Sequence, residues 1–114
     1  AREVTLLPRH WDWLASQPGG ASVALRKLVE AAKKTNTALD QARQSLEAAH
    51  RFMNFMGSDQ PGFEEASRAM FASDFALARK EIRTWPEDLR KYTEHLLDKA
   101  DRDAKRVGAE IHAN

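Results

Sequence analysis

The spacing of hydrophobic residues along this chain predicts a short strand followed by helices. Polar and apolar residues alternate from Glu3 to Leu6, a period of two that is typical of a β-strand, and we place this strand at residues 2–7. Pro8 suits the first turn of a helix, which carries Trp11 and Leu14 on one face before Pro18-Gly19-Gly20 ends it. We therefore predict a strand, a short helix and a glycine turn at the start of the chain.

From residue 21 onward the apolar positions keep a heptad repeat. Steps of four and three alternate, which is typical of a helix that packs along one seam. The seam is made up of Ala21, Leu25, Leu28, Ala32, Thr35, Leu39, Ala42, Leu46, Ala49, Met53 and Met56. One helix to Met56, stopped by Gly57, explains this repeat most simply. The alternative is a break at 35–37, where Thr37 and Asp40 would start a second helix.

Shorter amphipathic segments follow residue 57. Asp59 is the expected cap of a short helix after the turn, and Asp74 starts another. Their apolar faces carry Phe63, Ala66 and Met70, and then Phe75, Ala78 and Ile82. A last helix contains the charged stretch 98–106, which predicts a solvated end that frays. The predicted fold class is all-α with one short N-terminal strand.

The predicted order of elements at the N-terminus is that of the ribbon-helix-helix fold. A lone strand leaves its backbone donors and acceptors unpaired, so two copies pair their strands into an antiparallel ribbon. In known cases this ribbon enters the major groove of DNA. We predict a homodimer with a ribbon-helix-helix-like dimer hub at residues 1–36 and a helical extension at residues 37–114. The residues expected to form the dimer are Val4, Leu6, Leu7, Trp11, Leu14, Leu25 and Leu28.

The residues expected to contact double-stranded DNA lie on this strand and around the glycine turn. If Val4 and Leu6 face the core, Glu3 and Thr5 meet the base edges. If Leu7 faces the core instead, Arg2, Val4 and Leu6 are exposed, and this face can recognise almost no base. Free backbone N–H groups at the start of the second helix favour a phosphate. The candidate set is Arg2, Glu3, Thr5, Arg9, Gly20, Ala21, Ser22, Arg26 and Lys27.

Composition restricts the class of protein more than its function. The chain is 42% hydrophobic and 31% charged, which fits a folded, helix-rich protein. Its 18 basic and 17 acidic residues give a net charge of +1, less than a dedicated nucleic-acid binder usually carries. The absence of cysteine excludes disulfides and thiolate metal sites, and a reducing cytoplasm is the easiest fit. No apolar run is long enough to cross a bilayer, so no membrane partner is expected.

The remaining motifs indicate no enzyme. Glu47 and His50 have the Glu-x-x-His spacing of di-iron bundles, but such sites need two of these motifs. We expect no catalytic residue, metal or cofactor. The tryptophans Trp11, Trp13 and Trp85 are expected to anchor a small core.

Two sequence blocks, LLPRHWDWL and QPGGASVALRKLV, resemble an uncharacterised bacterial family, a conserved domain of unknown function. The resemblance runs from Arg2 to about Leu97 and implies no activity or cofactor. Its members are longer at the N-terminus, so we expect a further segment before Ala1. The predicted function is a DNA-binding bacterial regulator that acts as a homodimer. The alternative is a helical interaction or oligomerisation dimer that does not bind DNA.

Overall fold

A computed structural model describes residues 3–112. Within them the chain forms five helices: α1 (Pro8–Ala15), α2 (Gly20–Gly57), α3 (Phe63–Phe71), α4 (Phe75–Glu81) and α5 (Glu87–His112). The chain divides into two compact units, Ala1–Lys34 and Thr35–Asn114. Helix α2 begins in the first unit and ends in the second.

The predicted N-terminal strand is wrong, because no residue between 3 and 112 belongs to a β-strand. Residues 3–7 lead into α1 without regular secondary structure. Leu6 lines a groove together with Leu14 and Leu25, so it contributes to helix packing and not to a ribbon. The all-α part of the prediction is confirmed, and the ribbon-helix-helix dimer hub is wrong, because the strand that it requires is not formed among residues 3–112. The first residue of the predicted strand, Arg2, lies outside the described residues.

The predicted short helix and glycine turn are confirmed. Pro8 occupies the first turn of α1, where a missing N–H costs no hydrogen bond. The backbone N–H of Leu7 donates to Nδ1 of His10 at 3.1 Å and closes the start of the helix. After α1, Gly19 and Gly20 both have left-handed φ angles, of 87° and 84°, and turn the chain into α2.

Helix α2 is continuous, as the seam predicts, and the alternative break at 35–37 is wrong. Its buried positions differ from the seam. Leu28 and Leu39 are about half-exposed, whereas Ala38 and Ser45, which the seam leaves out, are buried. The heptad therefore predicts the helix correctly but not which of its side chains are covered.

The core of the second unit lies between α2, α3, α4 and α5. It consists of Ala49, Met53, Ala66, Ala69, Met70, Phe75, Ala78, Ile82, Trp85, Leu97 and Ala100. The predicted cap of α4 is confirmed, since the Asp74 carboxylate accepts a hydrogen bond from the N–H of Leu77 at 3.1 Å. The predicted cap of α3 is wrong: Gly62, with a φ of 81°, takes the place assigned to Asp59.

Helices α2 and α5 pack antiparallel in the second unit. Arg106 donates to the Gln41 side chain at 3.0 Å, and the Phe52 ring contacts that of Tyr92 further along α2. From the first contact to the second, the residue numbers rise along α2 and fall along α5, so the two helices run in opposite directions. Asp103 is buried in this contact. The charged stretch 98–106 is therefore part of the packing and not a solvated end.

A buried polar cluster joins the two helices. The Ser45 hydroxyl donates to the Asp103 carboxylate, and the Lys99 ammonium donates to the same carboxylate oxygen at 3.0 Å. The hydrogen bond from Ser45 holds the pKa of Asp103 below its ordinary value, Lys99 adds to the effect, and burial opposes it. The carboxylate form of Asp103 is therefore the form that the fold stabilises.

We expect Asp103→Asn to remove a pH-dependent part of the stability. A lowered pKa contributes stability above the unfolded value of about 3.9, and this is lost as the pH falls through the folded pKa. The difference in unfolding free energy between wild type and Asp103→Asn should thus be constant near neutral pH and shrink below about pH 4. Urea unfolding at a series of pH values measures it. Ser45→Ala removes the hydrogen bond that lowers the pKa of Asp103 most, so this variant should keep only part of the pH dependence. If wild type and Asp103→Asn differed by the same unfolding free energy at every pH, the pKa of Asp103 would not be lowered by folding.

Candidate functional site

The first unit leaves most of its large apolar side chains exposed. Within residues 3–34, Leu14 and Ala24 are the only buried hydrophobic residues. The exposed ones are Val4, Leu7, Trp11, Trp13, Leu28 and Val29. Segments of fewer than about 40 residues rarely bury enough apolar surface to be stable unaided. The helical hairpin of α1 and the start of α2 therefore has an incomplete core.

Two adjoining grooves open between α1 and α2. The larger has a volume of about 370 Å³ and is lined by Leu6, Arg9, His10, Trp13, Leu14, Leu25 and Leu28. The smaller has a volume of about 270 Å³ and is lined by Trp13, Gln17, Pro18, Ala24, Lys27 and Leu28. Trp13 and Leu28 line both grooves, so these two side chains lie at the boundary between them, which we call the ridge. We call the ridge and its two grooves the Trp13 face.

Local hydrogen bonds fix the end of α1 beside this ridge. The backbone carbonyl of Trp13 accepts from the Ser16 hydroxyl at 2.6 Å and from the Gln17 amide at 3.2 Å. The glycine turn then brings α2 back along α1, with little room for a larger residue at Gly19, where a Cβ would lie 3.0 Å from the Val23 side chain. The sequence Ser-Gln-Pro-Gly-Gly thus places Trp13 next to Leu28.

The Trp13 face is apolar with basic residues beside it. Arg9 belongs to the larger groove and Lys27 to the smaller, and neither groove is lined by a carboxylate. Apolar grooves with few polar groups bury carbon-rich side chains or ligands. The arrangement is therefore suited to binding.

The two side chains of the Glu-x-x-His motif contact other residues of the chain. The ring of His50 packs against those of Phe63 and Phe71, with centroid distances of 6.3 and 5.1 Å. Glu47 is exposed and lies 3.9 Å from Arg43. In the part of the chain from 3 to 112, no three His, Asp or Glu side chains come together as metal ligands.

The structure places the residues predicted to contact DNA in several parts of the first unit. Arg9 and Lys27 line different grooves, and Arg26 lines neither. Gly20, Ala21 and Ser22 form the first turn of α2. Glu3 and Thr5 lie in the irregular lead-in to α1, so no strand presents them to base edges. Arg2 lies outside the described residues.

The residues predicted to form the dimer separate into two groups. Leu6, Leu14, Leu25 and Leu28 line the larger groove, whereas Val4, Leu7 and Trp11 are exposed and line neither groove.

Trp13 is the residue that the sequence-based prediction missed. A helix turns 100° per residue, so Trp11 and Trp13 point to different sides of α1 and cannot both enter one small core. That spacing was the available signal. Of the three tryptophans expected to anchor a core, Trp85 is buried, and Trp11 and Trp13 are exposed.

Comparison with known proteins identifies a family and no function. Between residues 3 and 112, no helix has both the length and the apolar character needed to span a bilayer. No curated protein and no solved structure matches the chain. The model of a family described as an uncharacterized protein conserved in bacteria (DUF2239) matches residues 1–97. The chain therefore belongs to this bacterial family.

Proposed function

We propose that this chain is a protein-interaction module that forms a homodimer through the Trp13 face. The observation that carries the proposal is the exposure of Trp13, which is 53% accessible and lies between two mainly apolar grooves. Tryptophan in such surroundings is typical of the residues that dominate binding energy at interfaces. Covering it would also complete the small core of the hairpin.

The shape of the Trp13 face favours a second copy as its occupant. Most homo-oligomers are two-fold symmetric, and a two-fold interface must be complementary to itself. A ridge flanked by grooves meets this condition, because the ridge of each copy enters a groove of the other. The contact is between helices and involves no β-ribbon.

The charge of the chain is compatible with self-association. A net charge of +1 gives two copies little long-range repulsion. Locally, Arg9 and Lys27 bring like charges near the edge of the interface. Added salt screens this repulsion, so the dimer should become tighter as salt is raised. Binding to DNA phosphates has the opposite dependence.

We expect Leu28→Glu to weaken the dimer at least about 100-fold, because it removes an apolar side chain from the ridge and brings a carboxylate out of water there. Sedimentation equilibrium over a range of protein concentrations measures the dissociation constant. Val29→Glu is the matched control. Val29 is the next residue of α2 and 60% exposed, but it lines neither groove, so its variant should dimerise as the wild type does.

A second variant keeps the test independent of the added charge. Trp13→Ala should also weaken the dimer while circular dichroism shows unchanged helix content. A monomeric wild type at every concentration, or equal weakening by Leu28→Glu and Val29→Glu, would refute the proposal. A DNA duplex that binds the wild type, with salt weakening the complex and no protein dimer forming, would also refute it.

A further inference from the structure

A third groove, in the second unit, has a different chemistry from the Trp13 face. It lies between α2 and α5 and has a volume of about 510 Å³. Its α2 wall includes the amides of Gln41 and Gln44, and its α5 wall includes Lys99, Arg102 and Arg106. The volume is within the range of sites for small organic ligands, about 300–1,000 Å³.

The α5 wall concentrates positive charge on one face of the helix. Lys99, Arg102 and Arg106 follow each other at spacings of three and four, so they lie in one row. With the carboxylate of Asp103, three positive charges and one negative charge line the groove, which leaves a net charge of +2. Asp103 is already bound by Ser45 and Lys99, so its charge is compensated within the wall.

Arg102 and Arg106 differ from the other basic residues of α5. Lys91 pairs with Glu87 at 2.9 Å, and Lys105 with Asp101 at 3.5 Å. Among the described residues, neither Arg102 nor Arg106 forms a close ion pair; Arg106 donates to the uncharged Gln41 side chain and attracts the Asp103 carboxylate only at longer range. Like charges four apart on a helix repel each other and destabilise it. An anion between the two guanidinium groups would reverse this effect.

The groove also contains groups suited to the rest of a ligand. The side-chain oxygen of Gln41 accepts from Arg106, which leaves the amide N–H groups of Gln41 available as donors. Ala48 and Leu96 add apolar surface to the same groove. The site therefore combines a cationic part with a smaller carbon-lined part.

We propose that the groove between α2 and α5 binds a small organic phosphate. Arg102 and Arg106 take the phosphate group, because planar guanidinium groups form paired hydrogen bonds with its oxygens. Gln41 donates a further hydrogen bond, and the carbon skeleton of the ligand contacts Ala48 and Leu96. This site is independent of the Trp13 face and of dimer formation.

Titration with glycerol 3-phosphate, followed by NMR, tests the proposal. We expect saturable shifts of the Nε–H signals of Arg102 and Arg106 and of the Gln41 amide, with glycerol giving none. The double variant Arg102→Gln with Arg106→Gln should weaken binding at least about tenfold. The control is Lys91→Gln with Lys105→Gln, which removes the same charge from α5 outside the groove and should bind as the wild type does.

Three outcomes would overturn the proposal. The first is the absence of saturable shifts with glycerol 3-phosphate. The second is equal weakening by the two double variants, which would reveal a general charge effect and no site. The third is a short DNA duplex that shifts the same signals more strongly at equal phosphate concentration, because the groove would then bind nucleic acid. Circular dichroism of every variant establishes that its helices are intact.

Discussion

Gly62→Ala is expected to destabilise the second unit by about 3 kcal/mol and to lower its melting temperature by more than about 10 °C. Two effects act at this residue. The φ of Gly62 is 81°, a left-handed conformation that costs alanine about 1–2 kcal/mol. A Cβ would also lie 2.5 Å from the backbone carbonyl oxygen of Glu81, the last residue of α4. Because that neighbour is backbone, relief requires the start of α3 to move away from the end of α4.

Two further variants separate these effects. Gly62→Asn has the same Cβ but tolerates a left-handed conformation, so its loss of stability should be smaller than that of Gly62→Ala. Gly108→Ala, inside α5 and with no atom near its Cβ position, should stabilise by about 0.5–1 kcal/mol. Urea unfolding followed by circular dichroism measures all three. Equal effects at Gly62 and Gly108 would show that neither conformation nor contact is decisive at Gly62.

The parts of the fold that sequence predicts correctly depend on local chemistry. Pro8 starts α1, the glycine turn reverses the chain, and Asp74 caps α4, because each signal acts within a few residues. The continuity of α2 could also be predicted, because a break would have disturbed the phase of its apolar residues. The strand was not predicted correctly. Alternation over only four residues, 3–6, is equally compatible with an irregular segment, and only a partner strand distinguishes the two.

The errors at the candidate sites have a different physical origin. They arise because folding brings together residues that are far apart in the sequence. Asp103 lies in a charged stretch and reads as solvated, yet its hydrogen-bond partner Ser45 is 58 residues away. Leu28 reads as a core residue of the seam, yet no other side chain of the described chain covers it fully. Periodicity identifies apolar positions, but burial depends on which surface packs against them. This is why Trp13 and the groove of Arg102 were not foreseen.

Trp85→Ala should be the most damaging substitution in the core, at about 3–5 kcal/mol. Trp85 is 3% exposed, and its indole N–H donates to the backbone carbonyl of Pro61 at 2.7 Å. Truncation leaves both a cavity and a carbonyl without its donor. Trp85→Phe, which keeps most of the ring volume, should lose less stability. Urea unfolding of the two variants measures the difference, and equal losses would contradict a packing role for the indole.

The contact between Trp85 and Gly57 allows a sharper test, because the effect of one substitution should change sign with the other. A Cβ at Gly57 would lie 2.9 Å from Cζ3 of Trp85, so Gly57→Ala should destabilise the wild type by about 1–3 kcal/mol through overpacking. With Trp85→Ala the ring is gone, and the same change should stabilise α2 by up to about 1 kcal/mol through helix propensity. The four proteins form a double-mutant cycle with an expected coupling free energy of about 1–4 kcal/mol. Additive effects would show that the ring and the end of α2 do not meet.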